Sequence, residues 1–411
     1  MTVLEPVTHV GRRWIAPFTV AWLGVWLAQL TVIQLLLPAQ VADAGAPQDF
    51  LGTIVRFGWV SAVAGLAALV AFPLVGALSD RTASRFGRRR PWIAGGTLLF
   101  AAGLVLLGAQ EEVAGLAVCW AIALAGFAVV ASALTALIAD QVPVDQRGVV
   151  SSFVSVPQAI GTIAGLALVE TLALPVLGSY AAVALVLVVL VVPLLVALPD
   201  PPAAVPRTPL RLGRVLSSMW IDPRTHPDFA WTLAGRLLVN LGNAIGTTLL
   251  LYFLSVGLRD PDAEADLIPL VLVYLVALLV ATLAAGRASD RLGRRRVFVG
   301  VAAALQAVAA LLLAIAPAYG TALVAGAFLG AGYGVFLSVD QALATQVLPD
   351  PADRGKDLGI MNVALAVPQA FGPLCGAALI AVSGGFPALF VGAAVLSALG
   401  AASVARVRGV A

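Results

Sequence analysis

Long apolar runs alternate with short polar segments along the whole chain. Each run is about as long as the ~20 residues that an α-helix needs to cross a bilayer. Transmembrane β-strands are about half that length and alternate apolar with polar residues, a pattern that these runs lack. The sequence therefore predicts twelve transmembrane helices, near residues 14–38, 52–79, 91–109, 113–139, 149–174, 179–198, 230–255, 267–288, 297–316, 319–346, 358–382 and 386–405.

Composition agrees with a chain whose solvent is lipid. Of the 411 residues, 61% are hydrophobic and 11% are charged, and the mean hydropathy is +1.02. Since a soluble domain is about 25% charged, this composition excludes a soluble enzyme and a disordered chain. The two cysteines, Cys119 and Cys375, are far apart in apolar runs, which excludes a disulfide framework and a cysteine-rich metal site. We expect no metal and no cofactor.

The basic residues indicate the orientation in the membrane. Of the 24 basic side chains, 23 are arginines and one is Lys356. Nearly all of them lie in alternate loops, with Arg56 and Arg259 on the other side, so the positive-inside rule predicts that both termini are cytoplasmic. Because these arginines occupy loops between spans, they do not indicate a nucleic-acid partner. We expect a multi-pass protein of the plasma membrane.

The chain repeats itself on either side of a polar segment at 200–229. The sequence GALSDRTASRFGRRR at 76–90 recurs as GRASDRLGRRR at 286–296, and RG…VPQAIG at 147–161 recurs as RG…VPQAFG at 354–372. Two repeated motifs in the same order predict two homologous bundles in parallel orientation. The predicted fold is an all-α membrane protein with two pseudo-symmetric six-helix bundles, 1–199 and 230–411, joined by the cytoplasmic linker 200–229.

The repeated loops each carry an aspartate at the end of a helix. Asp80 and Asp290 follow the C-termini of predicted helices 2 and 8, where the helix dipole disfavours an anion. We expect each to bind the N-terminus of a helix in the opposite half, with Gly76 and Gly286 allowing close approach. If these contacts form and break as the protein changes conformation, they act as a conformational latch. Alternatively, the aspartates cap neighbouring loops and the arginines contact anionic lipid.

These motifs also resemble those of a known family. The pattern from Gly286 to Arg296 resembles the signature of the major facilitator superfamily between helices 8 and 9. The loop SDRTASRFGRRRPW is similar to that of sucrose/proton symporters and the related glycoside-pentoside-hexuronide transporters. The resemblance implies the major facilitator fold, alternating access by rocking of the halves, and an arginine such as Arg81 or Arg90 bound to Asp140. The expected latch residues are Gly76, Asp80, Arg81, Arg90, Asp140, Gly286, Asp290 and Arg291.

Polar residues recur at helical spacing inside four of the spans. Such residues are costly in lipid and usually face a cavity. Amides and indoles suit an uncharged polyhydroxylated solute, because amides donate and accept hydrogen bonds and indole faces pack on sugar C–H groups. Packing or lipid contact remains open for the tryptophans, as do interhelical hydrogen bonds for the amides. The predicted substrate-binding residues are Trp22, Trp26, Gln29, Gln158, Asn240, Asn243, Asn362 and Gln369.

One carboxylate lies well inside a span. Asp340 and Arg236 are at similar depths from the same side, so we predict that they form an ion pair. Protonation of Asp340 would break this pair and could couple protons to transport; the alternative is a permanent salt bridge or inner gate. Since the second span has no carboxylate between Gly58 and Ser79, a sodium site of the kind known in sodium-coupled relatives is not expected. Uniport and export stay open.

The leading hypothesis is a monomeric secondary transporter that moves a sugar or another small polar uncharged solute, driven by protons. The alternative is a proton antiporter that exports apolar or amphipathic molecules. A membrane enzyme is not expected, because His9 and His226 lie outside the spans and no cluster of acids and histidines is present. A channel is disfavoured by the internal duplication and the lack of a filter sequence. The expected partners are the solute, protons and the lipid bilayer.

Overall fold

The computed structural model describes residues 8–44, 50–79, 82, 84–143, 146–197, 200, 222–292, 295–347 and 354–407. Within these ranges the chain forms helices, turns and bends, and no strand. The all-helical fold predicted from the sequence is confirmed. Nine of the described helices are long and apolar enough to cross a membrane, and a tenth span is added if the bent helix described below is counted as one.

Twelve long helices occupy the described ranges. In chain order, α1 to α12 are Arg12–Asp43, Phe50–Ser79, Arg90–Gly108, Val113–Gln141, Arg147–Leu172, Val176–Ala197, Pro227–Gly257, Ala263–Leu292, Arg295–Ile315, Tyr319–Gln346, Arg354–Ser383 and Phe386–Ala405.

The first helix of each half contains a π turn. In α1 this turn covers Val32–Leu36, and in α7 it covers Phe253–Gly257. The axis of α7 also bends by 43° between the segments Pro227–Thr248 and Leu250–Gly257. A π turn adds one residue to a helical turn and so shifts the faces that follow it, which is why such turns are frequent at functional sites. The apolar pattern along the chain does not indicate either irregularity.

The chain divides into two compact units. Unit 1 comprises Met1–Pro47 and Trp59–Thr208, and unit 2 comprises Gln48–Gly58 and Pro209–Ala411. In unit 1, α1 packs against α5 and α6, and α3 packs against α4 and α6. In unit 2, α7 packs against α11 and α12, α9 packs against α10 and α12, and α8 packs against α10. Four of these pairs correspond between the two units, as expected for a duplicated bundle.

The beginning of α2 packs within unit 2. A Cβ on Gly58 would lie 2.9 Å from the Cα of Leu374 on α11, so only a glycine fits between these two helices without displacement. One residue earlier, the ring of Phe57 lies 5.6 Å from that of Tyr252 on α7. The bundle bounds of 1–199 and 230–411 stay a prediction, and most of the linker, residues 201–221, lies outside the described residues.

A carboxylate from the end of the first half caps α3. The Oδ2 atom of Asp200 accepts hydrogen bonds from the backbone N–H groups of Arg89, at 2.6 Å, and Arg90, at 2.8 Å. These N–H groups have no partner inside the helix, and the positive end of the helix dipole favours an anion. The chain reaches this position through Gly87, whose φ of 103° is accessible mainly to glycine. Asp200 thus fixes the loop between α2 and α3.

Replacing Gly87 with alanine is expected to destabilise this loop. The positive φ costs an alanine about 1 kcal/mol, and its Cβ would collide with the backbone and carboxylate of Asp200. We therefore expect a lower melting temperature for the purified Gly87→Ala protein. Gly95→Ala is the matched control, because Gly95 lies inside α3 with no atom within 4 Å of the added Cβ. Equal melting temperatures for the two variants would contradict the cap.

Candidate functional site

A buried ion pair lies inside unit 2. Nη2 of Arg236 on α7 is 3.1 Å from Oδ2 of Asp340 on α10, and the two side chains are 1% and 2% exposed. The pair predicted from their equal depths is therefore present. Its orientation is not that of a hydrogen bond, and Nε and Nη1 of Arg236 find no hydrogen-bond partner in the described residues. Charge attraction alone holds this contact, so its strength depends on the ionisation of Asp340.

Two tyrosines bind the asparagines that follow Arg236 along α7. The hydroxyl of Tyr333 on α10 donates to Oδ1 of Asn240 at 2.7 Å. The hydroxyl of Tyr274 on α8 donates to Oδ1 of Asn243 at 3.2 Å. Neither tyrosine was among the predicted site residues, although a phenol inside a span needs a hydrogen-bond partner and thus indicates a polar contact.

These bonds limit the hydrogen-bonding groups that the two asparagines can offer to a solute. Asn240 is 2% exposed, and its Nδ2 also donates to the backbone oxygen of Arg236 at 2.8 Å. Asn243 is 3% exposed. Both carbonyl oxygens are engaged inside unit 2, which is the interhelical arrangement that the sequence left open. In this conformation Asn240 and Asn243 join α7 to α10 and α8.

In unit 1, an aromatic ladder runs along α1. The rings of Trp14 and Phe18 are stacked at 4.7 Å, and those of Trp22 and Trp26 are stacked at 5.6 Å. Trp26 also contacts Phe127 on α4, with ring centroids 5.8 Å apart. The two indoles predicted to contact a solute therefore lie side by side on one face.

Six buried polar atoms on α1 have no hydrogen-bond partner in the described residues: Nε1 of Trp22, Nε1 of Trp26, Oε1 of Gln29, Oγ1 of Thr31, Oε1 of Gln34 and Oε1 of Gln40. Each unpaired buried group costs about 1–3 kcal/mol, which a bound molecule with hydroxyl groups would recover. Gln34 lies in the π turn and was not predicted, because its position on a regular helix is off the face of Trp22 and Trp26.

The remaining predicted solute contacts lie in different units or outside the described residues. Gln158 on α5 is half-buried in unit 1, and Gln369 on α11 is exposed in unit 2. The side chain of Asn362 lies outside the described residues. The contribution of these three residues to a solute site stays a prediction.

Asp140, at the end of α4, binds an arginine of the loop between α2 and α3. Its Oδ2 accepts a hydrogen bond from Nε of Arg89 at 2.7 Å, and Nη1 of Arg88 is 3.9 Å from its Oδ1. Arg89 also donates from Nη1 to Oγ of Ser79 at 2.5 Å. This loop therefore ties the ends of α2 and α4 together.

The expected partner of Asp140 was an arginine such as Arg81 or Arg90; among the described residues the hydrogen-bonded partner is Arg89, not Arg90. Arg90 begins α3, so its side chain leaves the loop in another direction, and Nη2 lies 3.5 Å from the backbone oxygen of Val196 on α6. Arg81 lies outside the described residues.

The other latch residues are described only in part. Asp80 lies outside the described residues, and Asp290 and Arg291 are described only as backbone of α8. A Cβ on Gly76 would lie 3.9 Å from Oγ of Ser132, and one on Gly286 would lie 3.9 Å from Cβ of Ser338. Neither glycine is thus needed for packing against these neighbours in its own unit.

Within the ranges that the coordinates describe, no three histidine, cysteine, aspartate or glutamate side chains come together. That part of the chain therefore offers no group of side chains suited to a metal ion.

The whole fold is similar to that of solved membrane transporters. The human organic anion transporter MFSD10 (TETRAN) is 18% identical, with a TM-score of 0.72 over 96% of this chain and 99% of that one. A point mutant of the nucleoside transporter NupG is 13% identical, with a TM-score of 0.74 over 96% and 98%. The xylose transporter XylE from E. coli is 15% identical, with a TM-score of 0.68 over 95% and 96%. At these identities the likeness shows the fold alone.

The sequence itself matches a family pattern over nearly its whole length. The Major Facilitator Superfamily pattern matches residues 18–261 and again residues 237–409. With twelve long helices in the described ranges, two similarly paired units and this match, the chain belongs to the Major Facilitator Superfamily of membrane transporters.

Proposed function

We propose that this protein is a proton-coupled secondary transporter of a small polar uncharged solute, such as a sugar, and that it works by alternating access. The observation that carries the proposal is the buried ion pair of Arg236 and Asp340. We further propose that it works as a monomer in the plasma membrane with both termini in the cytoplasm.

The ion pair supports proton coupling because its charge state controls its own stability. Arg236 keeps its proton in proteins, whereas a carboxylate exchanges one. When Asp340 binds a proton, the attraction across 3.1 Å is lost and a buried guanidinium is left without a counter-ion. Leaving one such charge unpaired costs about 3–5 kcal/mol, enough to favour another conformation of the surrounding helices. A proton bound on one side and released on the other would then drive the cycle.

The unpaired groups of α1 support an uncharged, hydroxyl-bearing solute. The indole N–H groups of Trp22 and Trp26 and the amide oxygens of Gln29 and Gln34 have no partner in the described residues, so a solute that both donates and accepts hydrogen bonds would satisfy them. The stacked rings of Trp22 and Trp26 offer an apolar surface for the C–H groups of such a molecule. None of these four groups is charged. Two of the similar folds are named as xylose and nucleoside transporters, and both solutes carry several hydroxyls.

The repeated loops supply the proposed latch. Arg89 joins the loop after α2 to α4 through Asp140, and Asp200 holds the same loop to the start of α3. A loop tied in this way moves with its bundle as one body. Asp80 is the residue of this loop that we propose to bind and release the other half, and Asp290 is its counterpart in the second repeat.

Asp340→Asn is expected to abolish uphill accumulation and to spare exchange, because an amide neither binds nor releases a proton. The measurement is uptake of radiolabelled sugars by proteoliposomes with and without an imposed pH gradient, compared with counterflow. Asp262→Asn is the control, since Asp262 is an exposed carboxylate outside the ion pair. Undiminished uphill uptake by Asp340→Asn would remove Asp340 from coupling.

Trp22→Phe is expected to raise the KM for the transported sugar about fivefold, because it keeps an aromatic ring but removes one hydrogen bond worth about 1 kcal/mol. Trp120→Phe is the matched control, as Trp120 is a buried tryptophan on α4. An unchanged KM in Trp22→Phe would rule out recognition through this N–H group. Transport of apolar dyes in place of sugars would favour the exporter alternative.

Asp80→Ala and Asp290→Ala are expected to slow transport roughly tenfold while leaving the amount of protein in the membrane unchanged. The estimate follows from the loss of about 1–2 kcal/mol, the strength of a carboxylate at a helix N-terminus. Initial rates in proteoliposomes, normalised to reconstituted protein, provide the measurement. Wild-type rates in both variants would exclude the latch.

A further inference from the structure

A small cavity lies inside unit 2, separate from the ion pair. Five helices surround it, and its solvent space is about 30 Å³. Most of the lining is glycine, alanine, leucine and phenylalanine. Its polar side chains are Tyr274 on α8, Gln306 on α9 and Ser397 on α12.

Gln306 is the buried polar group that defines this cavity. The residue is 1% exposed, and its Nε2 has no hydrogen-bond partner in the described residues. Its Oε1 accepts a long hydrogen bond of 3.4 Å from Oγ of Ser397. An unpaired amide N–H in an apolar interior is unfavourable, and natural proteins usually satisfy such a group with protein or with ordered water.

The first half of the chain fills the equivalent space with apolar side chains. Where α3 meets α4, a Cβ on Gly126 would collide with the backbone of Phe100. Where α9 meets α10, a Cβ on Gly332 would lie 3.0 Å from the backbone nitrogen of Gln306. The two glycines occupy the same place in the duplicated bundle, so Gln306 is the repeat-mate of Phe100, which is 0% exposed.

Ser397 also lies where the first half has an apolar contact. A Cβ on Gly24 of α1 would lie 2.9 Å from Cβ of Leu190 on α6, whereas a Cβ on Gly242 of α7 would lie 2.8 Å from Oγ of Ser397 on α12. In the second half, the polar pair of Gln306 and Ser397 therefore lies next to a cavity.

We propose that this cavity is a hydration site that holds one or two ordered water molecules at Gln306. About 10–15 Å³ of solvent space accommodates one water, so the size fits one or two. The water accepts a hydrogen bond from Nε2 of Gln306 and donates to the hydroxyl oxygen of Tyr274. The hydrogen of that hydroxyl is bonded to Asn243.

The consequence is a hydrogen-bonded link across unit 2. The water joins Gln306 on α9 to Tyr274 on α8. The hydroxyl of Tyr274 then continues the link to Asn243 on α7. Direct contacts in the described residues do not make this link between Gln306 and Tyr274. The site is independent of the transported solute and of proton coupling.

The test is footprinting with hydroxyl radicals generated by X-rays in the full chain in lipid nanodiscs. Radicals formed from a bound water modify the side chains beside it even where bulk solvent does not reach. Phe390 lines the cavity and is 2% exposed, whereas Phe100 is buried without exposure in the first half. We expect Phe390 to be modified at least about fivefold faster than Phe100. Equal rates would overturn the proposal.

Two variants fill the cavity with apolar side chains, and the first of them restores the phenylalanine of the first half. In Gln306→Phe and, separately, in Ser397→Leu, we expect modification of Phe390 to fall to the rate of Phe100, because the added side chain fills the cavity. Ser383→Leu is the matched control, as Ser383 is exposed at the end of α11 and should leave the rate at Phe390 unchanged. An undiminished rate in a folded filling variant would contradict a water at this site.

A high-resolution map of the wild-type protein supplies a second measurement that needs no variant. Compact density within hydrogen-bond distance of Nε2 of Gln306 is expected. Elongated density, as from an acyl chain or a detergent tail, or no density above noise would overturn the proposal.

Discussion

The interior of a lipid-embedded bundle offers polar groups no bulk water, and this constraint bears on both bundles. Each buried donor or acceptor needs a partner from the protein or from a bound molecule. Unit 2 pairs Arg236 with Asp340 and two asparagines of α7 with tyrosines of α8 and α10, and it leaves Nε2 of Gln306 without a partner in the described residues. In unit 1, six polar atoms of α1 have no partner in the described residues. The two repeats therefore share helix pairs and differ in polar chemistry.

This difference suggests a division of roles between homologous bundles. Solute recognition needs hydrogen-bonding groups that the protein does not itself satisfy, and α1 has them beside two stacked indoles. Energy coupling needs a group whose protonation changes the stability of its surroundings, and the ion pair of α7 and α10 has that property. The two proposed roles thus fall on bundles that share four of their helix pairs and differ in the side chains between them.

Much of the fold was accessible from the sequence because lipid leaves few alternatives. Span length and the repeated loop motifs predicted the twelve helices, and equal depth in the membrane predicted the pairing of Arg236 with Asp340. Contacts that depend on loop direction were less accessible: the partner of Asp140 is Arg89 because Arg90 already begins α3. The irregular turn that contains Gln34 and the tyrosines that bind Asn240 and Asn243 depend on packing between distant segments, which periodicity along one helix does not report.

The cap that Asp200 places on α3 has a practical consequence for protein engineering. The framework of the first bundle extends to this residue, beyond the last turn of α6, because its carboxylate anchors the chain to α3. A protease site or fluorescent domain inserted between α6 and Asp200 would detach that anchor and loosen the start of α3. The same insertion after Asp200 would leave the anchor in place.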